Sequence, residues 1–491
     1  MTLLHFATLL LLAPAASDHR ARCDELVARA EADPRLALRV QEHAPSGTAF
    51  VRGTYAVPED RSQADGRTIR LTVAVLPALG EDVRPDPVFL LHGGPGAPAT
   101  AFFPQQVGGW IRRTRDVVLV DQRGTGGSNA LTVPLAGSDD DLQTYFTSYF
   151  EVERYEAALE EILARADPRL YTTDNAVDDF DEVRRALGYG QVNLRGGSYG
   201  TRSGLVWMRR HPESIRTATF QGVAPIAFRN PLPHAREAQD ALDLIFEEVR
   251  TTPEYAAAFG DLERKFWETL ERFDEGPLPV EISHPVTGAL ESIELTRNAF
   301  AEAVRLQLYQ LPTNRRLPAV LLDAHAGDYR ALAEASLAMS RGVRRLIAWG
   351  TLISVTESED LWRIDPAEIE AACAGTFLGE TRIREQLAVA AIWPSGQVDE
   401  EWTRPVSVDV PALLWSGSHD PSTSPEWGAE AARHLPNALH VVVPSGHGVS
   451  GPEVERLDRA FLASGTVEGL DLSAVEALEL PPLVLPATDD R

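Results

Sequence analysis

Gln191-Val192-Asn193-Leu194-Arg195-Gly196-Gly197-Ser198-Tyr199-Gly200-Thr201 is the stretch on which the reading of this chain turns. Gly196 to Gly200 fits the G-x-S-x-G pattern. Val192 to Leu194 reads as a short buried strand, and Ser203 to Arg210 reads as a helix. A serine at a sharp strand-to-helix turn is a nucleophile elbow: it stands at the apex in a strained backbone conformation, at the positive end of the following helix. Gly196 and Gly200 lack a Cβ, so strand and helix can close around it. Taken alone, the pentapeptide is also compatible with an ordinary glycine-rich turn. The rest of the chain has to supply a base, an acid and oxyanion donors.

Working outward, the flanking sequence alternates strands and helices. Thr54 to Val57 and Ile69 to Leu76 read as early strands. Val88 to Leu91 runs into His92-Gly93-Gly94-Pro95-Gly96, and Val117 to Val120 into Asp121-Gln122-Arg123-Gly124-Thr125-Gly126-Gly127-Ser128. Asp24 to Gly47 is mostly polar, helical at first and interrupted by Pro34. Asp139 to Ala166 is charged and mostly helical. Asp174 to Leu187 places Ala176, Phe180, Val183 and Leu187 on one helical stripe, and Thr217 to Phe220 is a further strand. This rhythm implies parallel βαβ units. Residues 229–400 break it: they are helix-rich and short of strands, with helices expected over Ala235–Arg250, Asp261–Phe273, Arg297–Leu311 and Tyr329–Arg341, and read as an inserted helical cap. Strands return at Ala412–Ser416 and Leu439–Val443, with helices at Trp427–Leu435 and Glu453–Ala463. The expected organisation is a core in two parts, 17–228 and 401–491, around the cap.

Two later strand ends complete a catalytic set. Ala412–Ser416 leads into Gly417-Ser418-His419-Asp420, and Leu439–Val443 into Pro444-Ser445-Gly446-His447-Gly448. Ser198, Asp420 and His447 therefore follow successive strands in the order nucleophile, acid, base that is expected of an α/β-hydrolase fold: a mostly parallel sheet flanked by helices. A serine hydroxyl is a poor nucleophile until a neutral imidazole, ordinary pKa about 6.5, accepts its proton; a buried carboxylate fixes the tautomer and stabilises the charged ring. His419 precedes the acid, so it is out of order. The oxyanion donors are expected from the backbone N–H groups of Tyr199, the residue after the nucleophile, and Gly94, in the loop after Leu91.

The 491-residue chain carries a formal charge of −26, which disfavours nucleic acid and anionic membranes as partners. Lys265 is its only lysine. Leu3 to Leu12 is apolar and precedes Ala13-Pro14-Ala15, so residues 1–16 resemble a short secretory signal, although without a basic start; export to the periplasm or medium is the expectation, and a cytoplasmic location the alternative. Cys23 and Cys373, the only cysteines, could form one disulfide or remain free thiols. They do not form a metal motif. Gly93-Gly94-Pro95-Gly96 lacks the lysine and spacing of a phosphate loop, so neither a cofactor nor a metal is expected.

His92-Gly93-Gly94-Pro95-Gly96, Asp121 to Gly126 with Ser128, Gly196 to Thr201 and Asp420-Pro421 together resemble the proline iminopeptidase and tripeptidyl aminopeptidase family, over about Tyr55 to Pro482. The cap matches weakly. Phe461 to Pro482 is similar to the C-terminal segment of tripeptidyl-aminopeptidase-like members. The resemblance implies a serine peptidase that acts near a free N-terminus under a helical cap, with Ser198, Asp420 and His447 as its triad. It also implies that Asp121 and Arg123 brace the neighbouring loop. Secreted relatives carry extra cysteines where this chain has Glu357, Ala391 and Ala474. Members hold the substrate amine with acidic cap residues, and Glu357, Glu359 and Asp360 are the candidates here; a solvated acidic turn is the plainer alternative. The expected activity is an aminopeptidase working through an acyl-enzyme on Ser198, the alternative an esterase or amide hydrolase of small molecules on the same triad.

Overall fold

The computed structural model describes residues 16–63, 65–135 and 137–486. All of the expected export signal except Ala16 lies outside them. Among the described residues no helix is long and apolar enough to cross a membrane.

The strands are β1 (Leu36–His43), β2 (Thr48–Pro58), β3 (Thr68–Leu76), β4 (Val88–Leu91), β5 (Val117–Val120), β6 (Val192–Gly197), β7 (Ile215–Gln221), β8 (Leu278–Ser283), β9 (Leu290–Leu295), β10 (Ala412–Gly417) and β11 (Ala438–Val443). Nine of them form one sheet in the order β1-β2-β3-β5-β4-β6-β7-β10-β11. β1, β2 and β3 pair antiparallel, and β3 joins β5 antiparallel. From β5 through β11 every pairing is parallel. All residues of β4 and β5 are buried, as a central parallel strand covered on both faces requires. One face packs on helices Ala16–Ala30, Thr173–Ala186 and Tyr199–Arg210, where Trp207 sits edge-on to Phe89 with ring centroids 5.2 Å apart. The other face is covered in part by the helix Pro452–Ser464 through Leu457 and Phe461.

Three elements depart from the sequence reading. β1 lies within the segment read as polar: it is an edge strand on which only Leu36 is fully buried, so it carries little apolar signal. The cap contains a hairpin, β8–β9, where only helices were expected. Its burial alternates along Val280-Glu281-Ile282 and Ile293-Glu294-Leu295, a period of two inside a helical region. The helix expected to reach Leu311 stops at Leu308, and a second helix runs Leu311–His325 with Pro312 in its first turn and Pro318 inside. Pro318 removes a backbone donor, but Leu317 and Leu321 anchor this helix in the cap core. That core also takes in Leu131, Phe146, Phe150, Tyr155 and Ile162 from the first half of the chain. Residues 131–135 and 142–166 thus pack with the cap, although they precede it by many residues.

Candidate active site

The elbow forms between β6 and the helix Tyr199–Arg210. Ser198 has φ +55° and ψ −129°, a strained region for a residue with a side chain, and its N–H donates to Gln221 O at 3.0 Å. The glycines on either side permit this turn by close approach. A Cβ on Gly196 would lie 2.7 Å from Gly200 O, and one on Gly200 would lie 2.3 Å from Leu91 O. The loop after β4 reaches the serine itself: a Cβ on Gly93 would fall 2.9 Å from Ser198 Cβ and 3.3 Å from its Oγ.

His447 follows β11 and Asp420 follows β10. His447 Nδ1 lies 2.9 and 3.0 Å from the two carboxylate oxygens of Asp420. The carboxylate is held from behind: one oxygen accepts from the N–H groups of Ser422 (2.9 Å) and Thr423 (3.0 Å), the other from Thr423 Oγ1 (2.8 Å). The cap fixes the imidazole from the opposite side. The backbone N–H of His447 donates to Tyr309 O at 2.9 Å, and the Tyr309 ring packs edge-on to the imidazole with centroids 5.2 Å apart. Gly222, φ +60°, leaves room for the ring, since a Cβ there would lie 3.1 Å from His447 Cε1. Burial works against charging His447, but the adjacent Asp420 charge and hydrogen bond outweigh it and raise the imidazole pKa above its usual 6.5.

Ser198 and His447 share the wall of one cavity of about 310 Å³, which Gly94 and Tyr199 also line. The three acidic cap residues are not gathered there as an open cluster. Glu357 and Glu359 do not line the cavity. Glu359 is fully buried and accepts from Thr173 N (2.7 Å) and Thr173 Oγ1 (2.9 Å). Burial pushes both of these carboxyls up to about 7. Asp360 does reach the cavity wall, but both its oxygens accept from Arg202 at 2.8 Å, and Arg363 adds a third bond at 3.0 Å. Glu359 and Asp360 are thus bonded to Thr173 and Arg202 of the core, which ties the cap to it.

Asp121 accepts from Thr100 N and Oγ1 (2.8 and 2.9 Å), and Arg123 pairs with Asp179 at 2.7 Å and with the carbonyls of Glu59 and Leu170. Asp121 thus ties its loop to the segment that carries Thr100, and Arg123 ties the same loop to the helix Thr173–Ala186. Cys23 and Cys373 are separate buried thiols. Among the described residues no cluster of His, Cys, Asp or Glu is placed to hold a metal ion. The residues that sequence reading missed are Thr423, Tyr309, Arg202, Arg305 and Arg382. Arg202 lies next to the elbow motif and Thr423 three residues after Asp420, but nothing in either segment marks its partner. Arg305 and Arg382 belong to cap helices and Tyr309 to the turn after one of them, and the approach of these elements to the sheet has no local signature.

The alpha/beta hydrolase fold family matches residues 86–451. The chain is similar to the proline iminopeptidase of Neisseria gonorrhoeae, with 30% identity over 145 residues, 29% of this chain and 35% of that protein. The proline iminopeptidase of Neisseria meningitidis serogroup B matches to the same extent. The matched segment thus spans about a third of the length of these relatives. Among solved structures, a proline iminopeptidase from Mycobacterium smegmatis aligns with TM-score 0.39 and 15% identity over 84% of this chain and 96% of that one. A thermophilic esterase from Thermogutta terrifontis aligns with TM-score 0.36 and 17% identity over 84% of this chain and 100% of that one. With the family matching three quarters of its length, from the strand before the glycine loop to just past His447, this chain belongs to the alpha/beta hydrolase fold family.

Proposed function

We propose that this protein is a serine hydrolase that cleaves amide bonds of short peptides through an acyl-enzyme on Ser198. The observation that carries the reading is the contact of His447 Nδ1 with Asp420 at 2.9 Å, beside a cavity whose wall includes Ser198. With Nδ1 engaged by the carboxylate, the proton sits there and Nε2 is left as the basic nitrogen. His447 takes the Ser198 proton as the hydroxyl attacks the carbonyl carbon. The N–H groups of Gly94 and Tyr199 stabilise the oxyanion, and His447 returns the proton to the leaving nitrogen. Water then repeats the sequence on the acyl-enzyme. Peptides are favoured by the glycine-loop, Asp121–Ser128 and elbow motifs, and by the partial identity to proline iminopeptidases. A second reading, hydrolysis of small esters or amides on the same triad, is favoured by the engagement of Glu359 and Asp360 in internal bonds and by the position of Glu357 off the cavity wall, because an α-ammonium in the cavity then meets no free carboxylate of this acidic segment.

A fluorophosphonate probe tests the first step: it is expected to label wild-type protein and not S198A, and failure to label folded wild-type protein overturns the assignment. Aminoacyl and peptidyl anilides with free and blocked N-termini test the substrate. Faster cleavage of the free forms supports the exopeptidase, equal cleavage rejects it, and turnover of short acyl esters alone selects the second reading.

A further inference from the structure

The charged side chains on the cavity wall are Arg202, Arg305, Arg382 and Asp360, with His234 and His447 as the titratable imidazoles. Asp360 neutralises Arg202. Arg305 is held by Glu302, at 2.8 and 2.5 Å, and donates to the Tyr309 hydroxyl at 2.6 Å. Arg382 has no such partner: among the described residues it makes no hydrogen bond, its Nε is a buried donor left unsatisfied, and its only ion-pair contact is Glu302 at 3.6 Å, an oxygen already bonded to Arg305. Behind it, Glu385 accepts from Ser148 at 2.6 Å, and Arg344 is spent on the carbonyls of Leu135 and Thr147. Phe150 packs on the Arg382 guanidinium at 5.6 Å. The Arg382 side chain is 22% exposed, and its guanidinium, with five donors, a buried unbonded Nε and no hydrogen-bonded acceptor in the protein, is left under-satisfied. Arg382 borders two cavities, the one that holds Ser198 and a second of about 270 Å³. The second also carries Glu302 and Glu385, carboxyl groups that do not suit an anion, so the missing acceptor belongs in the cavity that holds Ser198.

We propose that Arg382 is the receptor for a carboxylate on the substrate, so that the preferred substrate is an anionic amide or ester rather than a neutral or cationic one. This rests on the serine-hydrolase reading of the site. A planar carboxylate matches the guanidinium fork. Arg305 adds a second positive charge to the same wall, and it connects through Tyr309 to His447, so a carboxylate bound there is registered against the reacting end of the cavity. Burial and the neighbouring Arg305 charge lower the Arg382 pKa, as expected where positive charge is under-compensated.

Three chromogenic esters test this. Para-nitrophenyl butyrate is neutral, mono-para-nitrophenyl glutarate carries a carboxylate on the acyl side, and carboxynitrophenyl butyrate carries one on the leaving group. In the wild type at least one anionic ester is expected to exceed the neutral one in kcat/KM by about 10- to 100-fold, the range for a hydrogen bond to a charged group, and which one does locates the carboxylate. R382Q is expected to abolish the preference and R382K to retain part of it, with thermal unfolding verifying that each variant is folded. Equal kcat/KM for all three esters, or a preference that survives in R382Q, overturns the proposal. Independently of turnover, glutarate titrated calorimetrically into S198A protein is expected to bind at least about tenfold more tightly than to S198A/R382Q; equal affinity also overturns it. If glutarate binding depends on Arg382 while no ester turns over and the fluorophosphonate leaves Ser198 unlabelled, the carboxylate receptor stands and the serine-hydrolase reading falls.

Discussion

Replacing Asp420 by asparagine separates orientation from charge at the centre of the site. The Asp420 oxygen that accepts from the Ser422 and Thr423 amides at 2.9 and 3.0 Å is retained as the Asn carbonyl, so the turn after β10 keeps its bonds. The other oxygen, which faces His447 Nδ1 at 2.9 Å and Thr423 Oγ1 at 2.8 Å, becomes an NH₂ donor. Thr423 can rotate its hydroxyl to accept. The new NH₂ group favours the His447 tautomer with a bare Nδ1 and the proton on Nε2, which leaves no lone pair for Ser198; the Nδ1–H tautomer keeps an acceptor only in the retained carbonyl at 3.0 Å. In triads of this kind the wrong tautomer lowers kcat about 10⁴-fold, or about 5.5 kcal/mol at 1.36 kcal/mol per decade. The assay is kcat on para-nitrophenyl butyrate for wild type, D420N and S198A, with thermal unfolding alongside. D420N is also expected to move the acidic limb of its residual activity to lower pH. Without the Asp420 charge, only burial and positive neighbours act on His447, and both lower its pKa. A folded D420N protein with kcat within about tenfold of wild type would refute the assignment of Asp420 as the orienting acid.

Four further outcomes follow from the same geometry. In the wild type the neutral imidazole is the active form and its pKa is raised, so kcat/KM should climb with pH through a value above 6.5; a limb centred below 6.5 would contradict the Asp420 contact. G222A introduces a Cβ at φ +60°, 3.0 Å from Thr423 Oγ1 and 3.1 Å from His447 Cε1, and displacement of the ring by about 1 Å should cost about 10²-fold in kcat/KM, read at a temperature where unfolding curves show the variant folded, since alanine at this φ also lowers the unfolding midpoint. G200A places a Cβ 2.3 Å from Leu91 O and should destabilise by about 1–3 kcal/mol or more, whereas G197A meets nothing closer than 3.5 Å and should stay within about 1 kcal/mol; denaturant titration distinguishes them. R202M strands the buried Asp360 carboxylate and should destabilise by about 3–5 kcal/mol in the same titration, with little loss predicting instead that Arg363 alone suffices.

Much of the core was legible because its signals are local. The fully buried runs of β4 and β5, the glycine loops after them and the Gly196–Gly200 turn each report a backbone requirement that neighbouring residues meet. β1 escaped because an edge strand buries little, and the β8–β9 hairpin because a two-residue period over six residues is weak among helices. Glu359 and Asp360 were legible as an acidic cap segment, but their roles depend on Thr173 and Arg202, residues from another part of the chain.

The order of Ser198, Asp420 and His447 along the chain, each following a strand, is a property of sequence, because a parallel sheet places the ends of its strands on one edge and so brings such residues within reach. What only the tertiary structure decided is the cavity above them. Its wall comes from cap helices that have no local reason to meet the sheet at one angle rather than another, and the balance of Arg305, Arg382 and Glu302 there is a through-space sum that no segment of sequence contains.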